Sequence, residues 1–180
     1  KHINEARVLS EVALEKDVDG FHMSSMGSLA LNNMSKTFPP CTPDGCIELL
    51  KYYGIEISGK NAVVVGRSNI VGLPLSLLLL HNNATVTVCH SRTENLIEHT
   101  RQADILVAAC GKKGLITREH VKDGAIVIDV GIHKVSADNK RGYTFVGDTL
   151  FDEIKDKASY ITPVPGGVGP MTIAMLLKHT

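Results

Sequence analysis

Apolar residues along this chain fall into short unbroken runs separated by stretches with helical spacing. Residues 62–65 are apolar at every position, and 85–89, 104–110, 125–130 and 159–162 form further short, β-rich runs. A run with no polar alternation is the mark of a strand covered on both faces, as in a parallel sheet. Between the runs, the spacing predicts helices at roughly 70–81, 94–101, 117–122 and 150–157. Strand–helix alternation of this kind predicts an α/β fold, a doubly wound parallel sheet. Right-handed crossovers then place the strand ends Gly66, His90, Cys110-Gly111 and Val130-Gly131-Ile132 along one edge. Sheets of this class bind ligands at that edge.

The flanking segments are less regular. Residues 3–14 read as a helix capped by Asn4, with Val8, Leu9, Val12 and Ala13 on one face. In 15–22 the acids Asp17 and Asp19 flank Val18. If this stretch is a strand they share a side and can accept a paired N–H donor array, while a charged turn is the plainer reading. Residues 23–42 are polar and poorly periodic. A helix then begins with Thr42 as N-cap, Pro43 at its first position and Asp44 against its dipole, carries Ile47, Leu50 and Tyr53 as its stripe, and ends at Gly54. Near the end, 160–172 holds a proline- and glycine-rich loop. Pro170 opens a last helix over 171–178, with the Thr172 hydroxyl in its first turn, placed to hold an amide or carboxamide.

The chemistry concentrates after the first strand. Gly66-x-Ser68-x-x-x-Gly72 joins that strand to a helix whose first turn offers free N–H groups and a positive dipole end, a seat for a pyrophosphate. The spacing is a degenerate form of the dinucleotide fingerprint and carries little weight alone. The end of the second strand sharpens it. No acid stands there to receive a ribose 2′-hydroxyl; Ser91 and Arg92 stand there, and Arg67 lies in the glycine loop. A hydroxyl and guanidinium groups suit a 2′-phosphate, so the reading is NADP rather than NAD. Solvated surface charge is the ordinary role of one loop arginine; two cations and a hydroxyl at one crevice argue against it here.

Composition narrows the classes. The chain has 180 residues, balanced charge and a hydrophobic fraction of 43%, enough for a core. The absence of basic excess gives no sign of nucleic acid, and no apolar run is long enough to predict a membrane span. The four cysteines lack C-x-x-C spacing and read as small buried residues in a reducing compartment. The eight histidines show no ligand spacing, so no metal is expected. The chain opens without Met, and the expectation is that its natural start lies upstream.

Several segments together resemble the methylenetetrahydrofolate dehydrogenase/cyclohydrolase family: Lys16-Asp17-Val18-Asp19-Gly20, Pro40-Cys41-Thr42-Pro43, Val65-Gly66-Arg67-Ser68-Asn69-Ile70-Val71-Gly72, His90-Ser91-Arg92-Thr93, Ile128-Asp129-Val130-Gly131-Ile132 and the stretch from Pro163 to Thr172. The resemblance runs the length of the chain. It implies an enzyme that passes a hydride from 5,10-methylenetetrahydrofolate to NADP+ and hydrolyses the product to 10-formyltetrahydrofolate. It implies Gly66, Arg67, Ser68, Ser91, Ile132 and Thr172 as cofactor contacts, beside Arg92 from the local reading. It implies Asp19 as the acceptor for the pterin, and Pro165, Gly166, Gly167, Val168 and Gly169 as the folate-lining loop. Residues 1–42 become a remnant of an N-terminal α/β folate-binding and catalytic domain, and 43–180 a Rossmann-like NADP-binding domain. The resemblance further implies tetrahydrofolate derivatives as partners, a homodimer, and the cytoplasm or an organelle as the compartment.

One departure is large. The family's catalytic Tyr-x-x-x-Lys has no counterpart: none of Tyr52, Tyr53, Tyr143 and Tyr160 has Lys four residues later. No catalytic residue is nominated, and the chain by itself is expected to bind NADP with poor turnover or none. The rival readings are another NADP oxidoreductase on the same fold and a non-enzymatic nucleotide-binding module.

Overall fold

Strand β1 (Asn61–Val65) lies between β2 (Thr85–Cys89) and β3 (Ile105–Ala108), and the sheet continues through β4 (Ile126–Asp129) to β7 (Tyr160–Ile161) in the order β2-β1-β3-β4-β7, all parallel. These coordinates come from a computed structural model that describes residues 2–180, with Glu5 and Ala6 described by backbone alone. The register aligns the strand ends. Val65 pairs with Cys89 on one side and Ala108 on the other, and Ala108 pairs with Asp129. Gly66, His90, Ala109 and Val130 therefore leave the sheet side by side, along the edge expected from the alternation.

Both faces of the central strands β1, β3 and β4 are covered, which is why their interiors are apolar, while the edge strand β2 carries Thr85 and Thr87 and is largely exposed. On one side Val64, Val107 and Ile128 pack with Ile47 and Leu50 of α3 (Cys41–Tyr52) and Leu75 and Leu79 of α4 (Gly72–His81). On the other, Val63, Val65, Leu106 and Val127 pack with Ile116, Val121 and Ile154. Ile154 closes α6 (Phe151–Ile154), and Leu96 of α5 (Leu96–Thr100) packs against the same cluster. The expected helix over 117–122 is a single 3-10 turn, Arg118–His120, with Thr117 and His120 capping one another.

Three helices start elsewhere than the spacing suggested. In α3, Pro40 takes the cap position and the helix begins at Cys41, ahead of Thr42. The end is as expected: Gly54 adopts φ +66° just beyond the last turn. Helix α4 begins at Gly72 rather than near residue 70, because the Ser68 hydroxyl accepts from the N–H groups of Val71 (3.2 Å) and Gly72 (3.4 Å) and holds the preceding turn out of the helix. The last helix, α7 (Val168–His179), begins two residues before Pro170.

The N-terminal segment holds α1 (Glu5–Ser10), capped by Asn4 as expected, and α2 (Met23–Ala30), which lies in the stretch where no element was expected. Asp17 and Asp19 do not share a strand face. A 3-10 turn, Leu14–Lys16, precedes them. Asp17 turns into the start of α2, accepting from the N–H groups of Phe21 (3.0 Å) and His22 (2.9 Å) and from the Ser25 hydroxyl (2.6 Å). An antiparallel hairpin of β5 (His133–Ser136) and β6 (Tyr143–Val146) is a second element absent from the sequence reading.

Helices α3 and α7 are closely apposed. A Cβ on Gly45 would stand 3.0 Å from that of Met171, so glycine sets their approach. At the far end, the His179 ring stacks on Phe38 with centroids 4.6 Å apart, while its nitrogens reach the Val18 carbonyl (3.0 Å) and Asp44 Oδ2 (3.1 Å). These contacts tie the C-terminal helix to the N-terminal segment.

Candidate dinucleotide site

The loop from Gly66 to Val71 is the centre of the site. Gly66 has φ +131°, and a Cβ there would overlap the Ala109 carbonyl; a Cβ on Gly72 would overlap the Gly66 carbonyl. Both glycines are needed for the chain to turn this tightly from β1 into α4, against the end of β3. Ser68 closes the turn from within. Among the described residues, the N–H groups of Arg67, Ser68, Asn69 and Ile70 have no acceptor in the chain. Four consecutive free donors at a strand–helix junction suit a diphosphate.

The loop separates two clefts. The first, about 460 Å³, is lined by Gly66, Arg67 and Ser68, by His90, Ser91 and Thr93 beyond β2, and by Ala109, Cys110 and Lys112 beyond β3, with Leu96 and Leu115 as apolar walls. It contains cations and hydroxyls but no carboxylate. The second, about 580 Å³, takes Val71 from the loop, Gly131 and Ile132 from beyond β4, Thr42, and the segment 163–170 with Thr172. Of the sequence candidates, Gly66, Arg67, Ser68 and Ser91 meet at the first cleft. Ile132, Thr172, Pro165, Gly166, Gly167, Val168 and Gly169 meet at the second. Arg92 is exposed and does not line the first cleft; its N–H is turned back onto His90 Nδ1 at 3.1 Å. Asp19 lines neither cleft. It is half-buried near the thiol of Cys41, the residue before Thr42.

Two buried carboxylates brace the floor. Asp129, at the end of β4, accepts from the N–H groups of Gly131, Asp148 and Thr149 (each 2.9 Å) and from the Thr149 hydroxyl (2.6 Å). Asp148 accepts from the N–H groups of Cys110 (2.8 Å) and Gly111 (2.9 Å) and from His133 Nε2 (2.7 Å). The turn after β3 borders the first cleft and the turn after β4 the second, and the 147–149 segment ties them together. The sequence reading missed Asp148. Its only local signal is Gly147, where a Cβ would overlap the Asp129 carboxylate. It also missed Thr42 as a partner of Thr172: their hydroxyls lie 2.8 Å apart across α3 and α7.

The thiols nearby are not poised to react. Burial, with the charge of Asp148 beside it, pushes the Cys110 thiol up to about 11. Burial and the carboxylate of Asp19 push Cys41 up to about 12. Both are protonated at neutral pH and act as small apolar groups and weak donors.

A doubly wound parallel sheet with a glycine turn of free donors between two edge clefts defines a Rossmann-type nucleotide-binding domain. Comparison with known proteins narrows the class. Residues 40–180 match the sequence profile described as "Tetrahydrofolate dehydrogenase/cyclohydrolase, NAD(P)-binding domain", and the chain belongs to that family. It is 59% identical over 179 residues to the bifunctional protein FolD of Brevibacillus brevis, covering 99% of this chain and 61% of that protein. It superposes with a TM-score of 0.93 and 49% identity on the FolD methylenetetrahydrofolate dehydrogenase/cyclohydrolase of Campylobacter jejuni, covering 99% of this chain and 61% of that one. The FolD of Trypanosoma brucei, solved with NADP cofactor and inhibitor, gives 0.92 and 45% with the same coverage. The chain thus spans about three fifths of the length of these relatives. Among the described residues no helix is long and apolar enough to cross a membrane.

Proposed function

We propose that this chain is the NADP-binding portion of an enzyme that oxidises 5,10-methylenetetrahydrofolate to the 5,10-methenyl compound and hydrolyses that product to 10-formyltetrahydrofolate. The observation that carries the reading is the Gly66–Val71 loop, exposed over 67–70, with four N–H groups that have no acceptor among the described residues, between a cationic cleft and an apolar one. The donors suit the diphosphate, and Arg67 and Ser91 suit a ribose 2′-phosphate. Ile132 and Thr172 border the place for the nicotinamide, where the Thr42–Thr172 hydroxyl pair can orient a carboxamide. Bound there, the cofactor supplies the hydride acceptor.

Residues 1–42 are read as the end of a folate-binding domain and 43–180 as the dinucleotide domain. Asp19 is assigned to the pterin, whose 2-amino and N3–H groups match the two oxygens of a carboxylate. The segment 165–169 is assigned to the other side of the folate. What this chain contributes to catalysis is positioning: holding a carbon donor and a nicotinamide in a near-attack arrangement. The relatives named as methylenetetrahydrofolate dehydrogenase/cyclohydrolase support tetrahydrofolate derivatives as substrates; a second copy of the chain as partner, and the cytoplasm or an organelle as the compartment, rest on the family resemblance alone.

Calorimetric titration of Asp19→Ala tests the reading. NADP affinity should stay within about twofold, because Asp19 lines neither cleft, while affinity for a reduced folate should fall at least about tenfold, the worth of a lost charged hydrogen-bond pair. Unchanged folate affinity would remove Asp19 from the site. In an NADPH-absorbance assay, the 180-residue chain should turn over methylenetetrahydrofolate poorly or not at all.

A further inference from the structure

We propose that Lys112 is the second cation of the 2′-phosphate site, and so a determinant of NADP over NAD; this rests on the dinucleotide reading above. Two cations were expected at the cleft from Arg67 and Arg92. The structure puts Arg67 there and leaves Arg92 outside. Lys112, from a different strand end, takes the vacant role.

Its placement is built rather than incidental. Lys112 follows Cys110 and Gly111, whose N–H groups are pinned at 2.8 and 2.9 Å to Asp148, a carboxylate with no exposed surface. Gly111 turns with φ +63°. The pinned turn directs adjacent lysines to different places: Lys112 lines the cleft of Arg67, Ser68 and Ser91, while Lys113 lines a separate cleft containing Asp152 and Glu153. Among the described residues no carboxylate lies within 4.0 Å of Lys112 or Arg67, although five other lysines of this chain have such a partner. Two unneutralised cations facing a cleft without an acid call for an anion. A phosphate monoester carries close to two charges, which one guanidinium does not balance.

The test is a fluorescence titration of the chain with NADPH and NADH, alongside Lys112→Gln, Lys112→Arg and Lys113→Gln. Lys112→Gln should weaken NADPH about tenfold, the scale of a charged hydrogen bond, and leave NADH within about twofold. Lys112→Arg should recover most of the loss, and Lys113→Gln should match the unsubstituted chain. An NADPH constant unmoved by Lys112→Gln overturns the assignment while leaving the dinucleotide reading standing. Equal losses for NADPH and NADH also overturn it, since the lysine would then serve the diphosphate. If the unsubstituted chain binds neither dinucleotide, the dinucleotide reading fails and this assignment with it.

Discussion

The Nε2 of His133 lies 2.7 Å from Oδ1 of Asp148, pairing a partly exposed imidazole on β5 with a carboxylate that has no exposed surface. The other carboxylate oxygen holds the N–H groups of Cys110 and Gly111, and the Asp148 N–H donates to Asp129. The Asp148 side chain thus fixes the hairpin and the floor of the cationic cleft, and its main-chain N–H, through Asp129, joins them to the turn that carries Ile132.

Asp148→Asn should therefore do more than remove a charge. An amide presents N–H to donors that previously met oxygen, leaving at least one of them unpaired in the interior. The expected cost is about 3 kcal/mol in urea unfolding, the range for breaking a buried charged network, with weakened NADP binding. A loss below about 0.5 kcal/mol would show that the carboxylate is not what holds the turn.

Gly66→Ala should destabilise by at least about 2 kcal/mol and abolish dinucleotide binding, because the new methyl meets the Ala109 carbonyl and the residue must keep φ +131°. Thermal unfolding and titration of the purified variant check both. Unchanged behaviour would mean that the loop relaxes without harm and that its geometry is not what the site needs.

The Thr42–Thr172 pair predicts a coupling between α3 and α7. A double-mutant cycle with Thr42→Val and Thr172→Val should return about 0.5–1.5 kcal/mol, the net worth of one partly buried hydrogen bond. Additive effects would mean that the contact contributes nothing to stability.

The buried thiols predict a loss of stability in alkali. Burial, joined at Cys41 by the neighbouring carboxylate of Asp19, raises Cys41 and Cys46 each to about 12 from the ordinary value of 9.0. The unfolded chain releases these protons above about pH 9 while the folded chain keeps them. Their contribution is therefore complete below pH 9 and lost as pH rises toward 12. Each thiol costs about 1.4 kcal/mol at pH 10, close to 3 kcal/mol for the two. Urea unfolding at pH 8 and pH 10, repeated with Cys46→Ala, measures it; the variant should lose about half of the pH dependence assigned to the pair.

The sheet was legible because β1, β3 and β4 are covered on both faces and so carry apolar runs, and because the exposed edge strand β2 is still rich in β-branched residues; their common edge follows from the alternation with helices. Helix α2 was not, because Met23-Ser24-Ser25-Met26-Gly27-Ser28 has no stripe and its cap is the His22 ring, which accepts from the Ser24 N–H in place of the usual Ser, Thr, Asp or Asn. The β5–β6 hairpin was hidden for a related reason: all four residues of β6 are half-buried, so no face stands out. In the site, Gly66, Arg67, Ser68 and Ser91 could be read because they sit within a few residues of strand ends. Asp148 and Lys112 could not, since their roles depend on which turns the sheet register brings together. Arg92 shows the converse: adjacent to Ser91 in sequence, it is exposed and does not line the cleft.

Backbone amide shifts during an NADP titration of the 15N-labelled chain test the central claim most directly. The account predicts saturable shifts centred on Arg67, Ser68, Asn69 and Ile70, extending to Ser91 on one side and to Ile132 and Thr172 on the other. Saturable shifts centred elsewhere, or none at millimolar NADP, would contradict it.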